Sequence, residues 1–220
     1  MTLTHSEYKA IAENIRPNGQ AFIDGKFCDA ADGTKFETTN PASGQVLANV
    51  AHCKAADVDR AVAAARRVFN AGTWSRAEPE ERKEVLLKVA ALVREHTHEL
   101  AVLESLDTGK TINDCMDEIG GEVVNFFQWY AELADKSFGK IAPTGPSALA
   151  LIVKEPAGVA GAVLPWNFPL VMAAWKIAPS LAVGCSAVIK PAEQTPLSTI
   201  RLAELMQEAG VPDGVINIIP

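Results

Sequence analysis

The chain has 220 residues, of which 48% are hydrophobic and 21% charged, a composition typical of a folded globular protein. The formal net charge is −7 and the 20 lysines and arginines are scattered, which argues against a nucleic-acid partner. No apolar run reaches the roughly 18 residues of a membrane span, and the polar N-terminus lacks the apolar segment of a secretory signal. We therefore expect a soluble cytoplasmic protein that binds neither nucleic acid nor membrane.

Residues 20–50 predict β-hairpins. Ala21–Ile23 and Lys26–Cys28 flank Asp24-Gly25, a dipeptide that readily adopts the positive φ angles of tight hairpin turns. A second turn signal at residues 40–44 precedes an extended segment at 45–51.

Helices are expected next, because apolar residues then recur at helical spacing. The pattern predicts helices over residues 57–70, 79–96, 98–107 and 111–136. In the first of these we expect an inward stripe of Val58, Ala61, Val62, Ala65 and Phe69. In the last we expect an inward stripe of Val123, Val124, Phe127, Tyr130 and Leu133. Such helices pack on a sheet or on each other.

Glycine and proline interrupt this pattern between residues 138 and 156, and the interruption predicts an extended arm or hairpin. Strands and helices then alternate, with strands at 159–164, 187–190 and 215–219 and helices at 169–183 and 198–209. Gly184 and Gly210 fall where left-handed C-terminal caps of these two helices are expected. Near-continuous apolar strands separated by helices predict an α/β fold whose parallel sheet is covered on both faces. We divide the chain into three segments, 1–137, 138–156 and 157–220.

Polar residues follow the first two strands of the last segment, where open α/β sheets bind ligands. Asn167 lies in a strand-to-helix turn, where its amide could stabilise a developing oxyanion or could cap its own turn. Glu193 follows the second strand, where a carboxylate could accept hydrogen bonds from ribose hydroxyls or be a solvated loop acid. The glycine-rich dinucleotide fingerprint GxGxxG does not occur.

Two further residue types bear on chemistry. Lys176 lies in an apolar helix, so its ammonium group is either buried, which demands a partner or a shifted pKa, or extended to the surface. The four cysteines are far apart and form no CxxC pair, which predicts reduced thiols in a cytosolic setting. They are Cys28, Cys53, Cys115 and Cys185.

Four segments, taken in order, resemble the aldehyde dehydrogenase superfamily. They are Pro165-Trp166-Asn167-Phe168-Pro169, the helix that holds Lys176, the run from Lys190 to Pro196, and the run from Gly210 to Asn217. Residues 22–25, 40–41 and 106–110 also resemble family segments. The resemblance implies an aldehyde-dehydrogenase-like fold with an incomplete Rossmann-type parallel sheet, N-terminal helices and a β-hairpin oligomerisation arm.

The resemblance also implies a reaction. A cysteine thiolate attacks an aldehyde, a hydride passes to NAD, with NADP possible, and water activated by a glutamate releases the carboxylic acid. It implies that Asn167 supplies the oxyanion hole and that Lys176 supports the active-site network. Lys190 and Glu193 would bind the adenosine ribose, with NAD preferred because a carboxylate repels a 2′-phosphate.

Other roles follow from the same resemblance. The cofactor cleft would be lined by Leu164, Pro165 and Trp166. Some family members hold a monovalent cation at positions that correspond to Thr39, Asp107 and Gln194. The arm implies a homodimer or homotetramer. A helix wall with Phe126, Phe127 and Trp129 favours an aromatic, medium-sized aldehyde, although an amino-aldehyde or simple core packing would fit as well.

The chain also departs from the family pattern. The nucleophilic cysteine and the general-base glutamate of the family would lie beyond residue 220, and none of the four cysteines has the nucleophile's sequence context. We therefore expect a truncated fragment that is inactive in isolation. The alternative is a non-catalytic nucleotide-binding or subunit-interaction protein. Against it stands the expectation that the third strand, at 215–219, would border an unfilled place in the sheet and expose an apolar edge.

Overall fold

The computed structural model describes residues 3–220, which contain eight α-helices and nine β-strands. The helices are α1 His5–Asn14, α2 Ala55–Ala71, α3 Pro79–Glu95, α4 Thr97–Thr108, α5 Ile112–Asp117, α6 Val124–Ala134, α7 Pro169–Ala182 and α8 Leu197–Ala209. The strands are β1 Ala21–Ile23, β2 Lys26–Cys28, β3 Lys35–Thr39, β4 Val46–Ala51, β5 Lys140–Ala142, β6 Ala150–Ile152, β7 Val159–Val163, β8 Ser186–Lys190 and β9 Ile216–Ile218. The predicted α/β fold is confirmed.

The main sheet has five strands in the order β2-β1-β9-β8-β7. Strands β7, β8 and β9 are parallel, with Val163 opposite Lys190. The N-terminal hairpin extends this sheet, because β1 pairs antiparallel with β9 at Phe22 and Ile218. The expectation of an unfilled place beside the third strand is therefore wrong, since β9 lies between β8 and β1. The outer strands of the sheet are β2 and β7.

Helix α2 packs on the sheet through small residues. Its buried side chains include Ala61, Ala65 and Val68, whereas Val58 is 40% and Val62 41% exposed. The predicted inward stripe is therefore wrong at both valines. Alanines allow the helix axis to approach β8 closely, which pushes the bulkier neighbours to the flanks of the contact.

The helix predicted over residues 111–136 is divided. A π-helical segment, Glu118–Val123, lies between α5 and α6 and contains Gly120 and Gly121. Phe127 and Ala131 are fully buried, one helical turn apart, but Leu133 is 40% exposed. Leu133 follows Ala131 by two residues, which is about 200° around the helix axis. The inward position predicted for Leu133 is therefore wrong.

The segment between α6 and β7 forms a hairpin. Strands β5 and β6 pair antiparallel, with Lys140 opposite Ile152, and form a separate two-stranded sheet. Most of its apolar side chains are exposed, among them Phe138, Ile141, Leu149 and Val153. The predicted hairpin is confirmed, whereas its oligomerisation role and the division at 138 and 156 stay predictions.

Helix ends follow the expected glycine chemistry. Gly210 adopts a left-handed conformation with φ of 98° at the end of α8, and Gly184 has φ of 85° just after α7. Only glycine adopts such angles without steric cost. Across residues 3–220, no helix combines the length and the apolar character needed to cross a membrane.

Candidate functional site

Two turns lie side by side at the carboxyl ends of β7 and β8. The first turn, residues 164–168, leads into α7, and the second, residues 191–196, leads into α8. The backbone N–H of Leu164 donates to the carbonyl of Lys190 over 2.9 Å. The hydroxyl of Thr195 donates to the carbonyl of Trp166 over 3.0 Å. These bonds hold the two turns together as one surface.

The second turn borders an open cleft of about 520 Å³. This cleft brings together five of the predicted site residues, which are Thr39, Asp107, Trp166, Glu193 and Gln194. The remaining wall comes from Phe36, Glu37, Thr38, Pro41, Thr108 and Thr195. The other predicted site residues are not among its lining: Leu164, Pro165, Asn167, Lys176 and Lys190.

Lys190 and Glu193 form an ion pair at the end of β8. The Lys190 Nζ lies 3.3 Å from Glu193 Oε2 and also donates to the carbonyl of Pro191 over 3.1 Å. The Glu193 side chain is 65% exposed. Its own backbone N–H, followed by the charge of Lys190, lowers its pKa from the usual value of 4.5. The carboxylate is therefore ionised at neutral pH and accessible to a ligand.

The first turn presents polar and aromatic groups to solvent. Asn167 is exposed, and its side-chain amide makes no hydrogen bond within residues 3–220, so the turn-capping alternative has no support there. Trp166 is 59% exposed, and Pro165 is also exposed. The side chain of Leu164 is only 3% exposed and packs in the core. Leu164 can therefore line a cleft only through its backbone.

Lys176 lies on the outer face of α7. The residues beside it, Ala173, Ala174 and Ile177, are buried, whereas Lys176 is exposed. Its Nζ lies 5.3 Å from the centre of the Trp175 ring. A buried ammonium group is therefore wrong for this residue, and the surface alternative holds in this structure. Its supporting role in catalysis stays a prediction.

Asp107 is a buried carboxylate at the base of the cleft. It is 3% exposed and accepts hydrogen bonds from the Thr38 hydroxyl at 2.8 Å and from the Leu197 N–H at 3.0 Å. Burial raises its pKa from 3.8 to about 6. The sequence prediction named Thr39, but Thr38 makes the contact and also donates to the carbonyl of Gln194. Strand alternation was the available signal, because it places only one of two adjacent threonines inward.

A cation in this cleft would be held by oxygen atoms of mixed origin. Within residues 3–220, no group of three or more His, Cys, Asp or Glu side chains is arranged to hold a metal ion. A site built from Asp107, a threonine and the Gln194 backbone would suit a weakly bound monovalent ion rather than a transition metal. This site stays a prediction.

The sequence prediction missed a second buried acid, Glu104, on α4. Its side chain is fully buried, and Oε2 accepts hydrogen bonds from the Leu170 N–H at 3.2 Å and the Ser198 hydroxyl at 2.8 Å. Burial raises its pKa from 4.5 to about 7. The sequence signal that could have identified Glu104 is an acidic residue directly after a run of apolar residues in a predicted helix. Nearby, Lys110 lies 4.0 Å above the Phe168 ring.

The three aromatic residues proposed as a substrate wall do not share one surface. Phe127 is fully buried in the core, so the core-packing alternative holds for it, and Trp129 is 68% exposed. Phe126 instead stacks on Trp175 of α7, with ring centres 5.5 Å apart and an interplanar angle of 14°. The sequence reasoning missed Trp175 because the partner comes from a distant helix.

The four cysteines are free thiols, and Arg60 donates a hydrogen bond to the Cys28 sulfur over 3.5 Å. Cys115 and Cys185 are buried, and Cys28 and Cys53 are half-buried. Burial raises the pKa of Cys53 and of Cys115 to about 12. A reactive thiol needs the opposite shift, because the thiolate is the nucleophile. Cys53 and Cys115 therefore lack the environment of a nucleophile.

The polar turns follow the carboxyl ends of parallel strands. This arrangement is typical of open α/β folds that bind ligands. A sequence profile described as "Aldehyde dehydrogenase family" matches residues 27–220. The chain belongs to the aldehyde dehydrogenase family.

Individual relatives agree with this assignment. The chain is 53% identical over 218 residues to aminoacetaldehyde dehydrogenase of Pseudomonas aeruginosa, covering 99% of this chain and 44% of the relative. It is 49% identical to the NADP/NAD-dependent aldehyde dehydrogenase PuuC of Escherichia coli, covering 99% and 43%.

Solved structures show the same fold. The indole-3-acetaldehyde dehydrogenase AldA of P. syringae, in complex with NAD+ and IAA, superposes with a TM-score of 0.97 at 43% identity, covering 100% of this chain and 44% of that one. The gamma-glutamyl-gamma-aminobutyraldehyde dehydrogenase of Burkholderia cenocepacia has a TM-score of 0.97 at 48% identity, covering 99% and 44%. The chain thus spans less than half the length of these relatives.

Proposed function

We propose that this chain forms the N-terminal part of the coenzyme-binding domain of an enzyme that oxidises an aldehyde to a carboxylic acid with NAD+. The observation that carries the proposal is the pair of polar turns: the first holds Trp166 and Asn167, and the second holds Glu193 next to Lys190 at the end of β8. The AldA structure of P. syringae contains NAD+, which supports the choice of cofactor.

The residues present fit the adenosine half of NAD+. An ionised, 65% exposed Glu193 can accept hydrogen bonds from both ribose hydroxyls and would repel a 2′-phosphate. Lys190 is close enough to donate to the same ribose, and Trp166 offers an exposed apolar surface beside it. Because PuuC is described as NADP/NAD-dependent, we propose a preference for NAD+ rather than strict exclusion of NADP+.

The diphosphate would have to bind differently from the standard fingerprint. That fingerprint places phosphates at free helix N-termini. Here the Leu170 N–H of α7 donates to Glu104 and the Leu197 N–H of α8 donates to Asp107. Both helix starts therefore already bind carboxylates. This arrangement is consistent with the missing GxGxxG motif.

When bound, NAD+ would accept the hydride that the aldehyde carbon loses. Asn167 would donate from its unbonded amide to the oxygen of the substrate as negative charge develops there. We propose that the family's cysteine nucleophile and glutamate base lie outside residues 1–220, because none of the four cysteines has the sequence context of the nucleophile. We therefore propose that this chain alone does not turn over aldehydes.

For the substrate we propose an amino-aldehyde. Two relatives support this choice, the aminoacetaldehyde dehydrogenase at 53% identity and the gamma-glutamyl-gamma-aminobutyraldehyde dehydrogenase at 48%. The aromatic aldehyde favoured by the sequence loses part of its basis, because Phe127 is buried in the core. The prediction of an aromatic aldehyde can be tested with indole-3-acetaldehyde, which is aromatic.

Assembly and ion binding complete the proposal. The exposed apolar residues of the β5-β6 hairpin would be covered in a homodimer or homotetramer.

A monovalent cation would bind in the cleft between Thr39, Asp107 and Gln194. Removing such an ion by dialysis should lower the melting temperature, and adding K+ or Na+ back should restore it.

The test uses the protein expressed from its own gene. NADH formation is measured with aminoacetaldehyde, indole-3-acetaldehyde and benzaldehyde, with NAD+ or NADP+ as acceptor. We expect turnover with NAD+ and the highest kcat/KM for aminoacetaldehyde. The same assay on residues 1–220 should give no turnover. If the expressed protein binds NAD+ but oxidises no aldehyde, the non-catalytic nucleotide-binding alternative replaces the proposal.

A further inference from the structure

The two helices behind the candidate site begin without caps of their own. The N-cap of α7 is Phe168, followed by Pro169, and the N-cap of α8 is Pro196. Neither phenylalanine nor proline has a side-chain acceptor for the first N–H groups of the helix. Uncapped N–H groups of a buried helix start cost stability unless another element supplies acceptors. In this fold the acceptors must come from elsewhere in the chain.

Helix α4 supplies them. Glu104 Oε2 accepts from the Leu170 N–H in the first turn of α7, at 3.2 Å, and from the Ser198 hydroxyl in the first turn of α8, at 2.8 Å. Asp107, one turn further along α4, accepts from the Leu197 N–H at 3.0 Å. Residues three apart share one face of a helix, so both acids face the helix starts. Among these contacts, only Glu104 touches both helices.

Packing alone does not account for a glutamate at this position. Glu104 is fully buried, and its Oε1 has no hydrogen-bond partner among residues 3–220. An apolar residue would fill the same space without the cost of burying a carboxyl group. What Glu104 adds is one oxygen atom that binds two helices at once. The partial positive charges at both helix N-termini favour that oxygen.

We propose that Glu104 is a positioning residue. It fixes the first turn, which holds Asn167, relative to the second turn, which holds Glu193. Each turn ends where its helix begins, so a bond to the helix start restrains the turn before it. The inference rests on the proposed function, because it treats these turns as parts of one active site. Displacements of about 1 Å at an active site can cost about a hundredfold in rate, so such a restraint would matter for catalysis.

The test compares Glu104→Gln with Glu99→Gln. Glu99 is a matched control, because it lies on α4 and also reaches α8, through Arg201 at 2.7 Å, without touching either helix start. Glutamine can keep its oxygen on the two donors only by burying its NH2 group without an acceptor at the position of Oε1, which weakens the contact. Ser198→Ala removes only the hydroxyl that binds Glu104 from α8.

The first readout is amide hydrogen exchange in peptides that cover residues 166–172 and 195–201. For Glu104→Gln we expect exchange about tenfold faster at both helix starts, the size expected for loss of a cap, and no change there for Glu99→Gln. Ser198→Ala should also speed exchange at the start of α7. Without the Ser198 hydroxyl the Glu104 side chain is held less firmly, and its bond to the Leu170 N–H weakens. Faster exchange at only one start, or an equal effect in Glu99→Gln, would overturn the proposal.

The second readout separates positioning from general stability. In the protein expressed from its own gene, Glu104→Gln should weaken NAD+ binding and lower kcat by about tenfold each, while Glu99→Gln changes neither. If Glu104→Gln does not fold, Glu104→Asp and Ser198→Ala carry the same comparison. If the unsubstituted protein binds no NAD+, the proposed function fails, and the exchange result alone still decides whether Glu104 couples the two helices.

Discussion

Between pH 5 and pH 7.5 the free energy of unfolding of this protein should fall as the pH rises. Burial raises the pKa of Glu104 from 4.5 to about 7 and that of Asp107 from 3.8 to about 6. The folded state therefore holds protons that the unfolded chain releases. Their stabilising effect is complete below the unfolded pKa and is lost as the pH rises through the folded pKa.

The magnitude follows from these shifts. One pKa unit corresponds to about 1.4 kcal/mol, so Glu104 should account for a loss of about 2 kcal/mol over this window. Asp107 should add about 1 kcal/mol, since part of its effect is already lost at pH 5. Two charged residues act on the pKa of Glu104 in opposite directions, because Lys110 lowers it and Glu118 raises it. Carboxylates with lowered pKa values, such as Asp135, titrate below the window.

The assay is urea unfolding at several pH values. The unsubstituted protein should lose stability with rising pH, and Glu104→Gln should show a slope flatter by about 2 kcal/mol across the window, whatever its stability at pH 5. Glu99→Gln should keep the original slope. A stability that is flat or rises with pH in the unsubstituted protein would refute the assignment of these buried acids, as would an unchanged slope in Glu104→Gln.

Three further substitutions test the site and the fold. Asn167→Ala should lower kcat by about two to three orders of magnitude, because it removes the oxyanion donor. The melting temperature should stay unchanged, because the Asn167 amide makes no hydrogen bond within residues 3–220. A lowered melting temperature with normal kcat would reject the oxyanion role. Glu193→Gln should reduce the preference for NAD+ over NADP+, and an unchanged ratio of kcat/KM values would exclude this residue as the determinant. Asn217→Ala should cost about 2–4 kcal/mol in urea unfolding, since the buried amide bonds both Asp24 and Gly214; a loss under about 1 kcal/mol would contradict this.

Local patterns in the sequence predicted most of the helices and strands, although not α1. Alternation of apolar strands and helices placed Lys190 and Glu193 at a strand end, and the structure has them there. Turn chemistry predicted the β1-β2 hairpin and the left-handed Gly210. Each of these features depends on residues close together in the chain, which is why the sequence alone indicates them.

The errors concern contacts between distant segments. The pairing of β1 with β9 joins Phe22 to Ile218, and no local periodicity indicates it. Glu104 meets its partners on α7 and α8 only after three helices have packed. The exposed Val62 and Leu133 were assigned inward because helical spacing fixes a face but not which neighbour covers it.

Equilibrium binding of NAD+ to the protein expressed from its own gene tests most directly whether the turns at the ends of β7 and β8 hold the cofactor. The measurement compares the unsubstituted protein with Lys190→Ala and with Lys88→Ala, a control at an exposed lysine of α3. Loss of a charged donor should weaken binding by about 10- to 100-fold in Lys190→Ala, and Lys88→Ala should bind normally. Absence of NAD+ binding, or equal affinity in all three proteins, would contradict the account.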